Sequence, residues 1–332
     1  MRLRQLRATL IILFLLGNLF VSPRLTADGP AQQEPGTQNP PQAEQTLRVQ
    51  VNLVNLFATV RDSHHAIINN LTKDDFRIFE NDQEQKVAIF SRTTTMPITL
   101  GLMVDTSGSQ QDLLLLEQEA ASSFLHRVLR KGDEAMVLSF DVDVDLLADF
   151  TDDTEQLERA IRRTQINAPV SIGPTAQTNI RSTALYDAIY LACHDQLSHE
   201  AGRKAIVLLT DAQDEGSRLK LQDAIEAAQR ADTVSHVILV AEPMVYGYGG
   251  YVGAGVAKKL ADETGGRVID ARSGSKIQEA FDQISEELRS QYVLGYYPTN
   301  TARDGTFRKI RVEIKQPGLK VLARRGYYAP AK

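Results

Sequence analysis

Between residues 97 and 289, short apolar runs take turns with stretches whose apolar residues recur at helical spacing. The strand-like runs are 97–104 (PITLGLMV), 133–140, 204–210 (KAIVLLT), 234–240 and 267–270; the helical stretches are 110–130, 153–163, 183–197, 219–230, 256–263 and 276–289. Ser275 with Gln278 makes a capping box for the last of these. A strand followed by a helix before the next strand has the length of chain a parallel crossover needs. The alternation therefore predicts an α/β fold, a doubly wound and mostly parallel sheet. Residues 143–150 are expected to pair back on the preceding strand as a short hairpin.

The two ends of the chain read differently. Residues 47–60, 75–79 and 86–90 before the alternating region, and 292–296, 310–314 and 319–323 after it, are β-like and have no helices between them. They are expected to pair with one another as one small β-sandwich, built from 47–95 together with 291–328. The α/β domain, 97–288, is then an insertion in that sandwich. Alternation of apolar residues shifts its phase between Leu53 and Val54, which predicts a bulge there or a change of buried face. Residues 62–66 (DSHHA) read as an exposed turn, since His64 and His65 have no further Cys or His at ligand spacing.

Arg2, Arg4 and Arg7 precede a mostly apolar run, 8–22, and small residues follow. That is the layout of a secretory signal peptide over 1–27, cleaved near Ala27, with an uncleaved N-terminal anchor as the alternative. Residues 28–46 are rich in Pro and Gln and too poor in large apolar side chains to offset their chain entropy, so they read as a linker. The expectation is an exported protein, periplasmic or extracellular, with membrane contact only through an uncleaved anchor. The net charge of -5 over 332 residues argues against a nucleic-acid partner. The one cysteine, Cys193, cannot form an internal disulfide and sits in a helical apolar pattern, as an inert buried thiol would.

Chemistry concentrates where the first apolar run ends. Asp105-Thr106-Ser107-Gly108-Ser109 places one carboxylate and two hydroxyls at i, i+2 and i+4 where a strand hands over to a helix. Alternate residues of such a turn can aim at one point, and this donor set suits a hard, oxygen-preferring cation. A Ser-rich turn with an Asp N-cap has the same residues, so the motif alone leaves both readings open. Asp141-Val142-Asp143-Val144 is similar to the nucleophile loop of haloacid dehalogenase-like phosphatases. That alternative makes the chain a Mg2+-dependent phosphatase with Asp141 attacking phosphorus and Asp143 as acid/base, against a solvated turn as the plain reading. The glycine-rich stretch 246–255 lacks the Gly-Lys-Ser/Thr of a phosphate cradle and reads as a flap. No Ser-His-Asp arrangement is suggested by spacing.

Asp105, Ser107 and Ser109, then Thr183 in Ser-Thr-Ala-Leu-Tyr-Asp-Ala-Ile, then Asp211 in Val-Leu-Leu-Thr-Asp, resemble the three segments of the metal-ion-dependent adhesion site (MIDAS) of von Willebrand factor type A domains. Leu71-Thr72-Lys73-Asp74-Asp75-Phe76, Glu287-Leu288-Arg289-Ser290-Gln291-Tyr292 and Arg325-Gly326-Tyr327-Tyr328 look like the flanks of a group of bacterial, chiefly acidobacterial, proteins related to it. The resemblance implies a Rossmann-like sheet and a Mg2+ ion, or Mn2+ in its place. Ser107, Ser109 and Thr183 would contact the ion directly, and Asp105 and Asp211 largely through water. One position would stay open for an Asp or Glu carboxylate of a partner protein. The implied function is metal-dependent protein binding without catalysis; a metal-independent envelope assembly or scaffold factor is the alternative. Three positions depart from the family pattern without removing a ligand oxygen: Ala212 and the pair Arg181-Ser182 stand where Gly is common, and Gln110 where Met often follows.

Overall fold

The computed structural model describes residues 53–92, 96–166, 183–240, 253–271 and 276–331. The chain divides into two units, Met1–Val49 and Gln50–Lys332, and every described residue belongs to the second. The expectations for the signal peptide, the linker, the strand over 47–52, Ser275 as a cap and most of the glycine-rich flap lie outside the described residues.

Four strands come first: β1 (Val54–Arg61), β2 (Phe76–Glu80), β3 (Gln83–Gln85) and β4 (Val87–Ser91). Asn81 and Asp82, both in the left-handed region, turn β2 back onto β3, a conformation Asn and Asp tolerate better than other side chains. The alternating region follows with β5 (Ile98–Asp105), α1 (Leu114–Val128), β6 (Glu134–Phe140), β7 (Val144–Thr151), α2 (Thr154–Ile161), α3 (Leu185–Leu191), β8 (Arg203–Thr210), α4 (Leu221–Arg230), β9 (Thr233–Leu239), α5 (Gly253–Thr264), β10 (Val268–Asp270) and α6 (Ile277–Arg289). The last strands are β11 (Tyr292–Tyr296), β12 (Phe307–Ile314), β13 (Lys320–Leu322) and β14 (Gly326–Tyr328).

The central sheet runs β10-β9-β8-β5-β6-β7, with all pairings parallel except that of β6 and β7. Two antiparallel four-stranded sheets flank it in the chain, β13-β1-β11-β4 and β14-β12-β2-β3. Each mixes strands from before and after the α/β region, and Leu56, Ile78, Leu294 and Ile310 pack in one core between them. The fold is thus a doubly wound sheet inserted in a small sandwich made by both ends of the described chain.

Period-two alternation divides the central sheet between two helical layers. Leu100, Leu102 and Val104 of β5, with Val207 and Leu209 of β8, face a cluster that includes Phe124 of α1 and Phe281 of α6. Those two rings stack with centroids 4.7 Å apart. Met103, Ile206 and Leu208 face the other way, toward Leu185 of α3, Ile225 of α4 and Leu260 of α5. Cys193 is in that second cluster, fully buried, and burial pushes its thiol up to about 12. It holds no thiolate at neutral pH.

Helix α1 begins at Leu114, four residues after the 110 that periodicity suggests, because a 3-10 turn, Gly108–Gln110, intervenes. Its tight bonds, Gln110 N–H to Ser107 O and Leu113 N–H to Gln110 O, wrap the chain around the Asp105 motif before the helix can start. The helical stretch 183–197 is also not uniform: α3 widens into a π-helical turn, Ala192–Gln196, and closes as a 3-10 turn, Leu197–His199.

At the opposite end of the sheet from that motif, buried charges join the inserted domain to the sandwich. Glu287 of α6 is 1% exposed and lies 3.3 Å from Arg61 of β1 and 3.7 Å from Arg267. Arg203 stands opposite Ile98 where β5 begins and donates to Gln291 Oε1 at 2.7 Å and to Leu288 O, where α6 gives way to β11. The points at which the chain enters and leaves the domain are therefore side by side. Asp133 accepts from Ile98 N and from the Arg289 guanidinium, fixing both. Breaking a buried pair leaves an uncompensated charge, which costs more than the pair itself contributes. Glu287→Leu strands two guanidinium groups and is expected to destabilise the protein by about 3–5 kcal/mol, measured by urea unfolding.

Candidate metal centre

Doubly wound sheets bind ligands beyond the carboxyl ends of their strands where the strand order reverses. Here the reversal lies between β5 and β8, whose register pairs Val104 with Leu209. Asp105 and Thr210 follow at the strand ends, and Thr210 Oγ1 donates to Asp105 Oδ2 at 2.6 Å. The other carboxylate oxygen accepts from Ser107 N at 3.0 Å. Ser107 Oγ and Ser109 Oγ are 3.0 Å apart, so the alternate residues of the motif do converge. Gln110 Nε2 donates to Ser109 Oγ at 3.2 Å and reaches Val240 O, tethering the turn to the end of β9.

Asp105 is completely buried and Asp211 is 2% exposed. Burial, and after it the charge of Asp211, push Asp105 up to about 7 against the hydrogen bonds from Ser107 and Thr210. Two carboxylates brought together out of water disfavour ionisation unless a cation or proton compensates. Glu117, one turn into α1, adds a third. It is fully buried, neither carboxylate oxygen has a hydrogen-bond partner among the described residues, and burial with the charges of Asp105 and Asp211 pushes it well above the usual range.

Thr183 arrives from a different part of the chain and is held by its backbone. Its carbonyl accepts from Glu215 N at 3.1 Å and Gly216 N at 3.2 Å, both in the loop that begins at Asp211. Asp187 of α3 accepts from Arg218 N and Leu219 N at 3.0 and 2.9 Å, and Asp214 accepts from Tyr186 N and the Ser217 hydroxyl. These two aspartates latch the segment after Thr183 to the segment after Asp211. The structure thus brings Asp105, Ser107 and Ser109 into hydrogen-bonded contact, sets Asp211 within electrostatic reach, and ties Thr183 to the Asp211 loop. Among the described residues no three His, Cys, Asp or Glu side chains converge as ligands by themselves. The donor set is instead carboxylates with hydroxyls, which fits a hard divalent ion.

Asp141, the residue of the phosphatase alternative, is bound into the first motif. Its Oδ2 accepts from Thr106 Oγ1 at 3.0 Å and its Oδ1 from Asp143 N, while its carbonyl accepts from Ala184 N. The side chain that would attack phosphorus serves to brace Thr106. His64 and His65 are exposed in their turn, with His65 in the left-handed region.

Residues 100–213 match the family described as the von Willebrand factor type A domain. That segment, about a third of the chain, is similar to a von Willebrand factor type A domain. The matched segment runs through Asp105, Thr183 and Asp211. No curated protein matches the chain. Among solved structures it is similar to a von Willebrand factor type A protein from Catenulispora acidiphila, at 13% identity over 78% of this chain and 74% of that one, TM-score 0.49. It is similar to the conserved hypothetical protein BatB from Bacteroides thetaiotaomicron, at 20% identity over 58% of this chain and 100% of that one, TM-score 0.43. A third likeness is to proximal thread matrix protein 1 from the mussel byssus with a zinc-occupied MIDAS motif, at 14% identity and TM-score 0.48. That match takes in 63% of this chain and 49% of the mussel protein, so the chain spans about half its length.

Two backbone features bear on Asp211. Ala212 has φ +56, a conformation in which a Cβ is unfavourable and glycine is not, which accounts for the expectation of Gly after Asp211. Gly253, the first residue of α5, packs on the same turn, and a Cβ there would stand 2.0 Å from the Asp211 carbonyl oxygen. In the sequence Gly253 falls within the glycine-rich stretch 246–255, and nothing local marks this role. Ala212→Gly is expected to stabilise the protein by about 0.5–1 kcal/mol, relief of left-handed strain less the added chain entropy. Gly253→Ala must push Asp211 aside and is expected to cost about 1–3 kcal/mol. Thermal unfolding of the two variants checks both signs.

Proposed function

We propose that this chain is an exported protein-binding module in which a divalent cation, Mg2+ with Mn2+ able to replace it, recognises an Asp or Glu carboxylate of a partner protein. Asp105, Ser107, Ser109, Thr183 and Asp211 would hold the ion. The observation that carries this reading is the pairing of two buried carboxylates, Asp105 and Asp211, with the converging hydroxyls of Ser107 and Ser109 at the strand-order reversal. Such a set has lost its solvation and gains it back from a hard cation. Mg2+ binds about six oxygens and usually keeps several waters, one of which an incoming carboxylate can replace.

What the residues themselves do is hold that geometry in advance. Thr210 and Ser107 N fix both oxygens of Asp105, Gln110 fixes Ser109, and the Asp187 and Asp214 latch keeps Thr183 with the Asp211 loop. Catalysis is not part of the proposal. Ser107 Oγ has Ser109 Oγ as its neighbour, Asp141 braces Thr106, and Cys193 is buried as a thiol. Export rests on the N-terminal layout of Arg2, Arg4 and Arg7 before an apolar run. Among the described residues no helix is long and apolar enough to cross a membrane.

A cation that binds only the folded state at a hundred times its dissociation constant contributes about 2.7 kcal/mol. Thermal unfolding in millimolar Mg2+ or Mn2+ is expected to lie several degrees above that in EDTA for the wild type, and the shift to vanish in Asp105→Ala. No shift in the wild type would favour the metal-independent scaffold.

A further inference from the structure

The family motif accounts for five oxygen-bearing residues, and Glu117 is not among them. Its position is unusual on chemical grounds. Leu114, Ala121, Phe124, Leu125 and Val128 form the buried stripe of α1, and Glu117 occupies the same face, where every other buried position is apolar. A carboxylate almost never sits in such a stripe unless something pairs with it. Here neither oxygen has a hydrogen-bond partner among the described residues, and the charges that reach it are those of Asp105 and Asp211, both negative. No cationic side chain among the described residues enters that balance. Gln110 Oε1, in the turn between Ser109 and α1, is likewise buried without a partner. The segment from the motif into α1 thus carries buried oxygens with no partner among the described residues, and there an isolated charge is costly and a cation is a compensating species.

We propose that Glu117 acts on the cation site as an outer carboxylate, not as a ligand to the ion, adding negative charge from α1 to that which Asp105 and Asp211 supply from the strand ends. This rests on the metal-binding reading above and extends it by naming what sets the charge of the site. With three carboxylates a divalent ion leaves the site net negative; with two it leaves it neutral. Glu117 thereby favours doubly charged ions over singly charged ones and raises their affinity. Residues that act on a metal from outside its first ring of ligands typically change its affinity by about 10–100-fold when replaced.

The test uses the full chain and the metal alone. Mn2+ binding is measured at fixed pH by electron paramagnetic resonance of free ion and by titration calorimetry, for wild type, Glu117→Gln, Glu117→Asp and Asp105→Ala. Glu117→Gln keeps size and removes charge, and is expected to weaken Mn2+ at least about tenfold with unchanged circular dichroism, while Glu117→Asp keeps the charge and stays nearer the wild type. Should the Gln variant not fold, Glu117→Leu, which suits the apolar stripe, carries the same comparison. Wild-type affinity in the Gln or Leu variant overturns the inference, because Glu117 is then a neutral filler, and leaves the metal site standing. A wild type that binds no Mn2+ overturns both.

Discussion

Parallel pairing of β5 with β8 is the constraint on which the candidate site depends. Because Ile98 stands opposite Arg203, the register brings Val104 beside Leu209 and delivers Asp105 to Thr210 at the far end. A slip by one residue would turn Asp105 to the other helical layer and replace it with an apolar side chain. The register is protected at both ends. Arg203, Asp133 and Gln291 pin its beginning, and the Thr210 hydroxyl on Asp105 closes its end.

The same pairing creates an electrostatic cost. Asp105, Asp211 and Glu117 are buried together, with two of them displaced toward the protonated form. Other buried carboxylates meet opposite charges: Glu287 meets Arg61 and Arg267, and Asp133 meets Arg289. In the sandwich, buried Glu80 accepts from the hydroxyls of Tyr296 and Tyr327 at 2.8 and 3.0 Å. The contrast sets the strand-end cluster apart. Asp105 and Asp211 do accept hydrogen bonds, from Thr210, Ser107 N and Gln213 N, but among the described residues the charge that bears on Asp105 is that of Asp211, another carboxylate.

Ala212 and Gly253 add a backbone constraint next to Asp211. The turn after Asp211 adopts a left-handed residue and accepts the close approach of a helix backbone. Backbone strain at a site persists only where its surroundings over-determine it, and here α5 and the Asp214 latch do so.

The elements were legible in the amino-acid order alone. Hydrophobic periodicity marked β5, β6, β8, β9 and the helices between them, and the hairpin of β7 on β6, because burial on one face or two leaves a signature within a few residues. The amino-acid order also carried the Asp105 motif, whose donors are close along the chain. Boundaries moved where hydrogen bonding around the motif competed with the helix, as at Gly108–Gln110, which no propensity registers. What lies across from the motif follows from the folded arrangement of the strands. Thr183 and Asp211 could be paired with Asp105 by resemblance, but their placement depends on strand register and on a latch formed by Asp187, Asp214 and Ser217 over long sequence separations. Glu117 had a visible signal, an acid in an apolar stripe, yet its meaning lay in two carboxylates supplied by other strands. Periodicity is a local property of the chain, whereas the convergence of charges is set by which strands become neighbours.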